Sequence, residues 1–242
     1  MKAATGENYA YGGRELEIFA QATNWKRYWI SRVAPFLKGD VLEAGSGAGA
    51  NTTVLRPLCR GRYVSLEPDA RLVREAEENL RHRLPETEFR TGTVESLSPN
   101  AMFDCVLYVD VLEHIEDDRG ELACAAKHLR PGGYIVALAP AHNFLFSAFD
   151  AAIGHYRRYS RASLLRCSPR GTEVLRVVYL DSLGVVLSLA NRVLLHSACP
   201  THGQIQFWDR VVIPLSRYAD ALLGFRAGKS ILAVWKVNDC RK

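Results

Sequence analysis

A glycine-rich segment near residue 45 constrains the fold of this chain more than any other feature. Its sequence, Glu43-Ala44-Gly45-Ser46-Gly47-Ala48-Gly49, lies between a short apolar strand (41–44) and a segment of helical character (50–59). Glycines suit such a turn because the backbone bends sharply and must approach a ligand closely. Glu67 ends the next predicted strand, twenty residues after Gly47, where a carboxylate can accept both hydroxyls of a ribose. The spacing predicts a nucleotide-binding site.

Strands and helices alternate along the first part of the chain. The predicted strands are 41–44, 62–66, 89–90, 103–109 and 134–139, and the predicted helices are 14–34, 50–59, 68–84 and 119–129, the last one stopped by Pro131-Gly132-Gly133. This alternation predicts a parallel, doubly wound sheet. Two further strands, 174–179 and 231–237, enclose about fifty residues of helical character, which indicates an insertion rather than another strand–helix–strand unit.

We therefore predict an α/β fold with a Rossmann-like doubly wound sheet, mostly parallel with an antiparallel last strand. N-terminal lid helices and a C-terminal helical insertion complete it. The whole chain, 1–242, is expected to form one domain. Its parts are an N-terminal lid (1–38), a nucleotide-binding core (39–179 and 230–238) and the helical insertion (180–229).

Composition narrows the class of protein. The 242 residues have a formal net charge of +5, which is too small an excess to indicate nucleic-acid binding. The six cysteines are scattered and form no CxxC pair, which favours a reducing compartment. The longest apolar stretch, 183–195, is too short to span a bilayer, and the first residues contain no apolar signal region. We expect a cytoplasmic protein.

The glycine loop alone leaves the ligand open. Gly45, Gly47 and Ala50 also satisfy the dinucleotide pattern G-x-G-x-x-A, so an NAD-dependent oxidoreductase is one alternative. Two features favour S-adenosylmethionine instead. Glu43 precedes the loop, where a carboxylate could face the cationic methionine end, and the downstream half shows no group of residues suited to hydride transfer. A protein that binds adenosylmethionine without catalysis, as a partner subunit, is the other alternative.

Four segments in order resemble the class I S-adenosylmethionine-dependent methyltransferases. They are VLEAGSGAGANT (41–52), VSLEPD (64–69), FDCVLYVDVLEHI (103–115) and LRPGGYIVALAP (129–140). The resemblance implies S-adenosylmethionine as cofactor, with S-adenosylhomocysteine as product. The cofactor-binding residues it implies are Glu43, Gly45, Ser46, Gly47, Gly49, Glu67, Pro68, Thr93, Val94 and Tyr108. Thr93 departs from the family, which often has an aspartate there to hold the adenine amino group.

A second resemblance covers the region after the fifth predicted strand. The stretch GHYRRYS (154–160) is similar to one found in a subgroup of bacterial methyltransferases, and it implies no particular substrate. Acceptors in this fold bind beyond the carboxyl ends of the strands. The sequence therefore predicts an acceptor site near residues 110–114 and 140–160.

Candidate residues for the acceptor side follow from this placement. The catalytic candidates are Asp110, His142 and His155. The two histidines are candidates for a base because imidazole titrates near neutral pH. Asp110 could orient the acceptor or could simply cap the turn after its strand. The candidates for binding the acceptor are Tyr9, Tyr11, His114, Asp150, Tyr156, Arg157 and Arg158. Each histidine could instead be an ordinary hydrogen-bonding residue. The arginines could bind an anionic acceptor or could flank a helix (161–166) with Ser160 as its N-cap.

Two further possibilities concern metal and partners. Asp110, Glu113 and a histidine such as His114 could form a divalent cation site. However, we expect no metal, because the same residues can pack against the following helix. The apolar insertion 180–229 could line an acceptor pocket, form a dimer contact or touch a membrane, and its few basic residues predict only weak peripheral contact. The expected partner is a small-molecule acceptor, and the oligomeric state stays open.

Overall fold

The computed structural model describes residues 21–190 and 201–239. Tyr9 and Tyr11, the first part of the predicted helix 14–34 and most of the predicted lid 1–38 lie outside these residues. Part of the insertion, 191–200, also lies outside them.

The fold is a seven-stranded mixed sheet. Its strands are β1 (Val41–Ala44), β2 (Tyr63–Glu67), β3 (Thr87–Thr91), β4 (Phe103–Val109), β5 (Leu129–Pro140), β6 (Thr172–Leu180) and β7 (Ser230–Val237). They lie in the order β3-β2-β1-β4-β5-β7-β6. All neighbours pair in parallel except β7, which runs antiparallel to both β5 and β6. The predicted fold class is therefore confirmed.

Helices cover both faces of this sheet. Within the described residues they are α1 (Thr23–Val33), α2 (Thr52–Leu55), α3 (Ala70–Leu80), α4 (Asp118–Lys127), α5 (Ala148–Ala152), α6 (Arg161–Arg166), α7 (Ser182–Ala190), α8 (His202–Phe207) and α9 (Ile213–Leu222). A π-helical turn, Trp208–Val212, joins α8 to α9. Because both faces are covered, every residue of the central strands β1 and β2 is buried.

The aromatic residues of α1 belong to one of the two cores that flank the sheet. Trp25, Tyr28 and Trp29 are buried together with Val41 of β1 and Trp208 of the insertion. The rings of Trp25 and Trp208 lie 5.8 Å apart. These residues are thus part of the packing and do not face an open cleft.

Several predicted helix ends differ from the structure, among them those of 50–59 and 68–84, and two of the differences have an identifiable cause. Gln21 and Ala22 are not helical, and α1 begins at Thr23 because the Asp209 carboxylate accepts hydrogen bonds from the backbone N–H groups of Asn24 and Trp25. This cap comes from a residue 184 positions from Trp25, so no local sequence signal announces it.

The other difference lies at the Pro131-Gly132-Gly133 segment. Helix α4 ends at Lys127, and Leu129, predicted as the last helical residue, begins β5. The pairing of β4 with β5 then passes from Phe103↔Leu129 to Cys105↔Tyr134, so the proline–glycine segment forms an irregularity within the strand. Gly132 takes a φ of 78° there. The segment therefore interrupts a strand rather than stopping a helix.

Buried carboxylates join the helical insertion to the sheet. Asp220 of α9 accepts hydrogen bonds from the Tyr28 hydroxyl (2.6 Å) and from the backbone N–H groups of Asp181 (2.7 Å) and Ser182 (2.8 Å). Asp181 in turn accepts from the Trp208 indole (2.8 Å). Among the described residues, no helix has the length and apolar character needed to cross a membrane.

We predict that Asp220→Ala destabilises the fold by at least about 2 kcal/mol, because three buried donors lose a charged acceptor at once. Thermal and urea unfolding followed by circular dichroism would measure this loss. Asp239→Ala, which removes only the exposed pairing with Lys236, is the matched control and is expected to change stability by less than about 0.5 kcal/mol. Equal stability of the two variants would contradict the anchoring role of Asp220.

Candidate cofactor and acceptor site

The glycine loop follows β1 at the centre of the sheet. Gly45 and Gly47 have φ values of 69° and 56°, which side chains with a Cβ rarely adopt. A Cβ on Gly45 would lie only 2.6 Å from the side chain of Val111, in the segment that follows β4. The loop is docked on β2, since the N–H groups of Gly45 and Ser46 both donate to the Leu66 carbonyl. This geometry leaves a tight, side-chain-free turn of the kind that a nucleotide requires.

Glu67 closes this loop from the end of β2. Its carboxylate accepts hydrogen bonds from the N–H groups of Gly47 (2.9 Å) and Asp69 (3.0 Å). Burial raises the pKa of Glu67, and the two amide hydrogen bonds counteract that rise. A carboxylate held beside a glycine turn, with acceptor sites still free on each oxygen, fits the two ribose hydroxyls of an adenosine.

Three other predicted cofactor residues lie close to Glu67 in the chain or in space. Ser46 is nearly buried, and its Oγ accepts from the Ser65 hydroxyl (2.7 Å). Pro68 is partly buried next to Glu67. Thr93 is exposed and caps a short 3₁₀ turn, and the Gly92 N–H donates to the Glu67 carbonyl (3.0 Å), which holds that turn beside the ribose acid. The structure therefore brings these groups to one edge of the sheet.

The remaining predicted cofactor side chains lie in the core. Glu43 is 2% exposed and accepts from the hydroxyls of Thr52 (2.5 Å) and Tyr63 (2.9 Å). Burial raises the pKa of Glu43 to about 7. Tyr108 is fully buried and donates to Glu121 (2.8 Å), and Val94 is buried in the same core. Direct contact of these three side chains with a cofactor remains a prediction.

The carboxyl ends of β4, β5 and β6 share a second feature. Asp110, His142 and Asp181 follow these strands and have positive φ values of 54°, 65° and 65°. Such backbone conformations are strained for residues other than glycine and concentrate at functional sites. Asp110 is exposed to solvent. The protein atoms packed around its carboxyl group nevertheless displace water and raise its pKa to about 6, and the charges of His155 and Lys229 limit this rise.

Sequence reasoning missed Asp181 and Lys229 at this edge. Lys229 immediately precedes β7 and is only partly exposed, and burial lowers its pKa. Its ammonium lies 5.4 Å from the centre of the Trp208 ring. The antiparallel direction of the last strand could have revealed Lys229, because it brings the start of β7 to the carboxyl ends of the parallel strands.

His155 belongs to a group of titratable side chains beside Asp110. Its Nδ1 lies 2.9 Å from Asp150, and its Nε2 lies 3.8 Å from Glu113. Burial alone would raise the pKa of Asp150, but hydrogen bonds from His155 and Arg158 hold it well below its usual range. The charged carboxylate therefore favours a proton on the Nδ1 atom of His155, which fixes the orientation of the ring.

Glu113 is the least satisfied member of this group. It is fully buried, and neither carboxylate oxygen has a hydrogen-bond partner among the described residues. Burial and the nearby Asp110 raise its pKa well above the ordinary value, which favours the protonated form. The His114 and His155 rings are in edge-to-face contact at 4.5 Å, and burial lowers the pKa of His114 to about 4.

This group has the composition of a cation site. Glu113, His114 and His155 offer three ligand atoms that all lie within 4.8 Å of one another. The Asp150–His155 hydrogen bond is also the support that histidine ligands commonly have. The set differs from the one considered in the sequence, because Asp110 is replaced by His155. The expected absence of a metal remains a prediction. It is compatible with a protonated Glu113, which needs no cation for charge balance.

The other acceptor candidates have partners within the chain. Arg157 pairs with Asp118 (2.7 Å) and donates to the Glu116 carbonyl. Arg158 binds Asp150 through Nε and Nη2, while its buried Nη1 has no partner among the described residues. Tyr156 is exposed. Ser160 is the N-cap of α6, as one of the two interpretations of this segment predicted.

His142, the second candidate base, is held by aromatic rings. Its imidazole stacks on Tyr179 with a centroid distance of 4.8 Å and an interplanar angle of 12°, and it lies 5.1 Å from the ring of Phe144. Burial lowers the pKa of His142, which favours the neutral imidazole. The site thus contains two neutral histidines, His142 and His114, together with the Asp150–His155 pair.

Comparison with known proteins finds similarity to methyltransferases. Residues 42–137 match the family model described as "Methyltransferase domain". The chain is 32% identical over 136 residues to a ubiquinone biosynthesis O-methyltransferase of Methylocella silvestris, covering 55% of this chain and 49% of that protein. It is 28% identical over 174 residues to a demethylmenaquinone methyltransferase of Tropheryma whipplei, covering 69% and 70%.

A solved structure extends the likeness to the fold. The N-methyltransferase NodS from Bradyrhizobium japonicum in complex with S-adenosyl-L-homocysteine superposes with a TM-score of 0.55 at 17% identity, covering 87% of this chain and 86% of that one. Residues 42–137 are therefore similar to a methyltransferase domain, and the chain shares the fold of that solved enzyme. It spans about half the length of the ubiquinone relatives that it matches.

We predict that Glu67→Ala weakens binding of S-adenosylhomocysteine by about 1–3 kcal/mol, because a charged hydrogen-bond acceptor for the ribose is lost. Isothermal titration calorimetry on the folded variant measures the change. Glu75→Ala on the exposed side of α3 is the control and should bind as the wild type does. Unchanged affinity in Glu67→Ala would mean that the nucleotide binds at another place.

We also predict that EDTA leaves the conversion of S-adenosylmethionine to S-adenosylhomocysteine unchanged, because burial favours the protonated form of Glu113, which needs no cation for charge balance. Turnover before and after dialysis against EDTA is the measurement. A loss of turnover that magnesium restores would assign Glu113, His114 and His155 as metal ligands.

Proposed function

We propose that this chain transfers a methyl group from S-adenosylmethionine to an oxygen or nitrogen of a small-molecule, anionic acceptor. One observation carries the proposal: the ends of β4, β5, β6 and β7 bring acids, histidines and two cations to the edge of the sheet where the glycine loop lies. The name O-methyltransferase of the ubiquinone-biosynthesis relatives supports oxygen as the acceptor atom. We also infer a cytoplasmic location, which the free state of Cys59, Cys105, Cys124 and Cys167 supports.

The cofactor, when bound, supplies an electrophilic methyl group on a sulfonium. The protein must then hold the acceptor in line, exclude water and remove any proton from the acceptor atom. His155 is suited to take that proton at Nε2, because Asp150 fixes the ring through Nδ1 and stabilises the imidazolium that forms. Asp110, open to solvent at the end of β4, is suited to orient the acceptor.

The positive groups favour a negatively charged acceptor. Lys229 and Arg158 both lie near enough to Asp110 for their charges to lower its pKa, and Nη1 of Arg158 has no partner among the described residues. An acceptor oxygen that loses its proton would be stabilised by these cations. Arg157 is a weaker candidate for this role because Asp118 and the Glu116 carbonyl already hold its guanidinium.

Two alternatives remain and can be separated by experiment. Calorimetry with S-adenosylhomocysteine and with NAD distinguishes a methyltransferase from an NAD-dependent oxidoreductase that uses the same loop. A protein that binds the cofactor without catalysis would bind S-adenosylhomocysteine but form none from S-adenosylmethionine. A panel of hydroxylated aromatic compounds and small amines, with S-adenosylhomocysteine formation as the readout, tests turnover directly.

We predict that His155→Gln lowers kcat for the best acceptor of this panel by about 100-fold or more while the affinity for S-adenosylhomocysteine stays unchanged, as expected for a lost general base. Steady-state kinetics and calorimetry on the same preparation measure both quantities. His82→Gln, an exposed histidine after α3, is the control. A raised KM without a change in kcat would instead assign His155 to acceptor binding.

A further inference from the structure

The outer face of the helical insertion is the largest feature that the proposed function does not use. Helices α8 and α9 and the π-turn between them form one continuous helix over residues 202–222. Its inner face is buried against the sheet core through Ile205, Trp208, Val212 and Ile213. Its outer face carries a line of exposed large side chains. These are Phe207, Val211, Leu215, Tyr218 and Leu222.

The spacing of these five side chains places them on one side of the helix. They follow one another at intervals of four, four, three and four residues, the repeat of a single helical face. Tyr218 is 75% exposed and Leu222 is 89% exposed. Helix α7, which packs on α9, adds the exposed Val186 and Leu189. An exposed apolar surface of this extent indicates a contact with a membrane or with another protein.

The charges beside this outer face all have one sign. Arg210, Arg217 and Arg226 are exposed, whereas both acids of the helix, Asp209 and Asp220, are buried and accept hydrogen bonds from the chain itself. The exposed surface of residues 202–226, all of them described, therefore contains cationic and apolar groups and no carboxylate. A second copy of the chain would meet the same arginines without an acid to pair with them.

We propose that this face, residues 207–222 with Arg226, docks on the surface of an anionic lipid bilayer. An amphipathic helix with an apolar face and basic flanks lies in the plane of the interface, with its apolar side chains among the acyl chains and its arginines at the headgroups. The helix is about 30 Å long, long enough to lie along the surface as a single docking edge.

The inner face of the same helix reaches the acceptor edge of the sheet. Trp208 donates to Asp181 (2.8 Å) and carries Lys229 over its ring. Docking would therefore bring the acceptor site next to the bilayer and favour an acceptor with an apolar tail and an anionic head. This link to the acceptor rests on the proposed function, but docking itself requires no turnover and is tested without it.

Cosedimentation of the full chain with vesicles tests the docking surface. We expect at least tenfold stronger partitioning onto vesicles of phosphatidylglycerol and phosphatidylcholine than onto phosphatidylcholine alone, with a decrease as salt rises. Leu215→Glu/Leu222→Glu should reduce partitioning onto anionic vesicles at least tenfold, because it places carboxylates on the apolar face. Arg210→Gln/Arg217→Gln should also reduce it about tenfold or more, since each basic residue adds attraction to the anionic surface.

Matched controls change the same residue types elsewhere. Leu58→Glu/Leu175→Glu replaces two exposed leucines outside this face, and Arg74→Gln/Arg83→Gln removes two exposed arginines of the α3 region. Both should bind vesicles as the wild type does, and all variants should keep the wild-type affinity for S-adenosylhomocysteine. The proposal is overturned if the wild type does not sediment with anionic vesicles, or if the two test variants sediment as it does. A dimer that Leu215→Glu/Leu222→Glu dissociates, without vesicle binding, would assign this face to a second copy.

Discussion

The position of β1 between β2 and β4 is the constraint on which the rest of the structure depends. Parallel pairing on both sides means that the chain leaves β1 at the centre of the sheet, where neighbouring connections pass to opposite faces and a crevice opens. The glycine loop begins in that crevice with Gly45, which lies between Val111 on one side and Leu66 on the other. Because Glu67 ends the adjacent strand, its carboxylate can reach the Gly47 amide, and the loop and the acid form one rigid unit.

A second constraint comes from the reversal of β7. Since β6 runs parallel to β5 and β7 runs against both, the connection from β6 to β7 begins and ends at the acceptor edge. Asp181 opens that connection and Lys229 closes it, and the Lys229 N–H donates to the Asp181 carbonyl (2.9 Å). The helical insertion is therefore fixed at both ends beside the acceptor site, and Asp220 secures its far end to Tyr28 of α1.

The sequence predicted the parts of this arrangement that local patterns encode. The strands of the core, the glycine loop, the Glu67 position and the Ser160 cap depend on residues close in the chain, and periodicity and turn chemistry reveal them. The start of α1 could not be predicted, because its cap is Asp209. The environment of His155 was equally hidden, since Asp150 is near in sequence but Glu113 reaches it only through the pairing of β4 with β5. The position of Lys229 can be predicted only once the direction of β7, the last strand, is known.

The buried carboxyl groups differ in how many hydrogen-bond donors surround them. Asp181, Asp209 and Asp220 are buried with several donors each, so their desolvation is compensated and they act as structural anchors. Glu113 is equally buried but has no partner among the described residues, and protonation is what makes its burial tolerable. The unsatisfied group therefore lies beside His155, the candidate base, and the satisfied groups lie where the insertion is held.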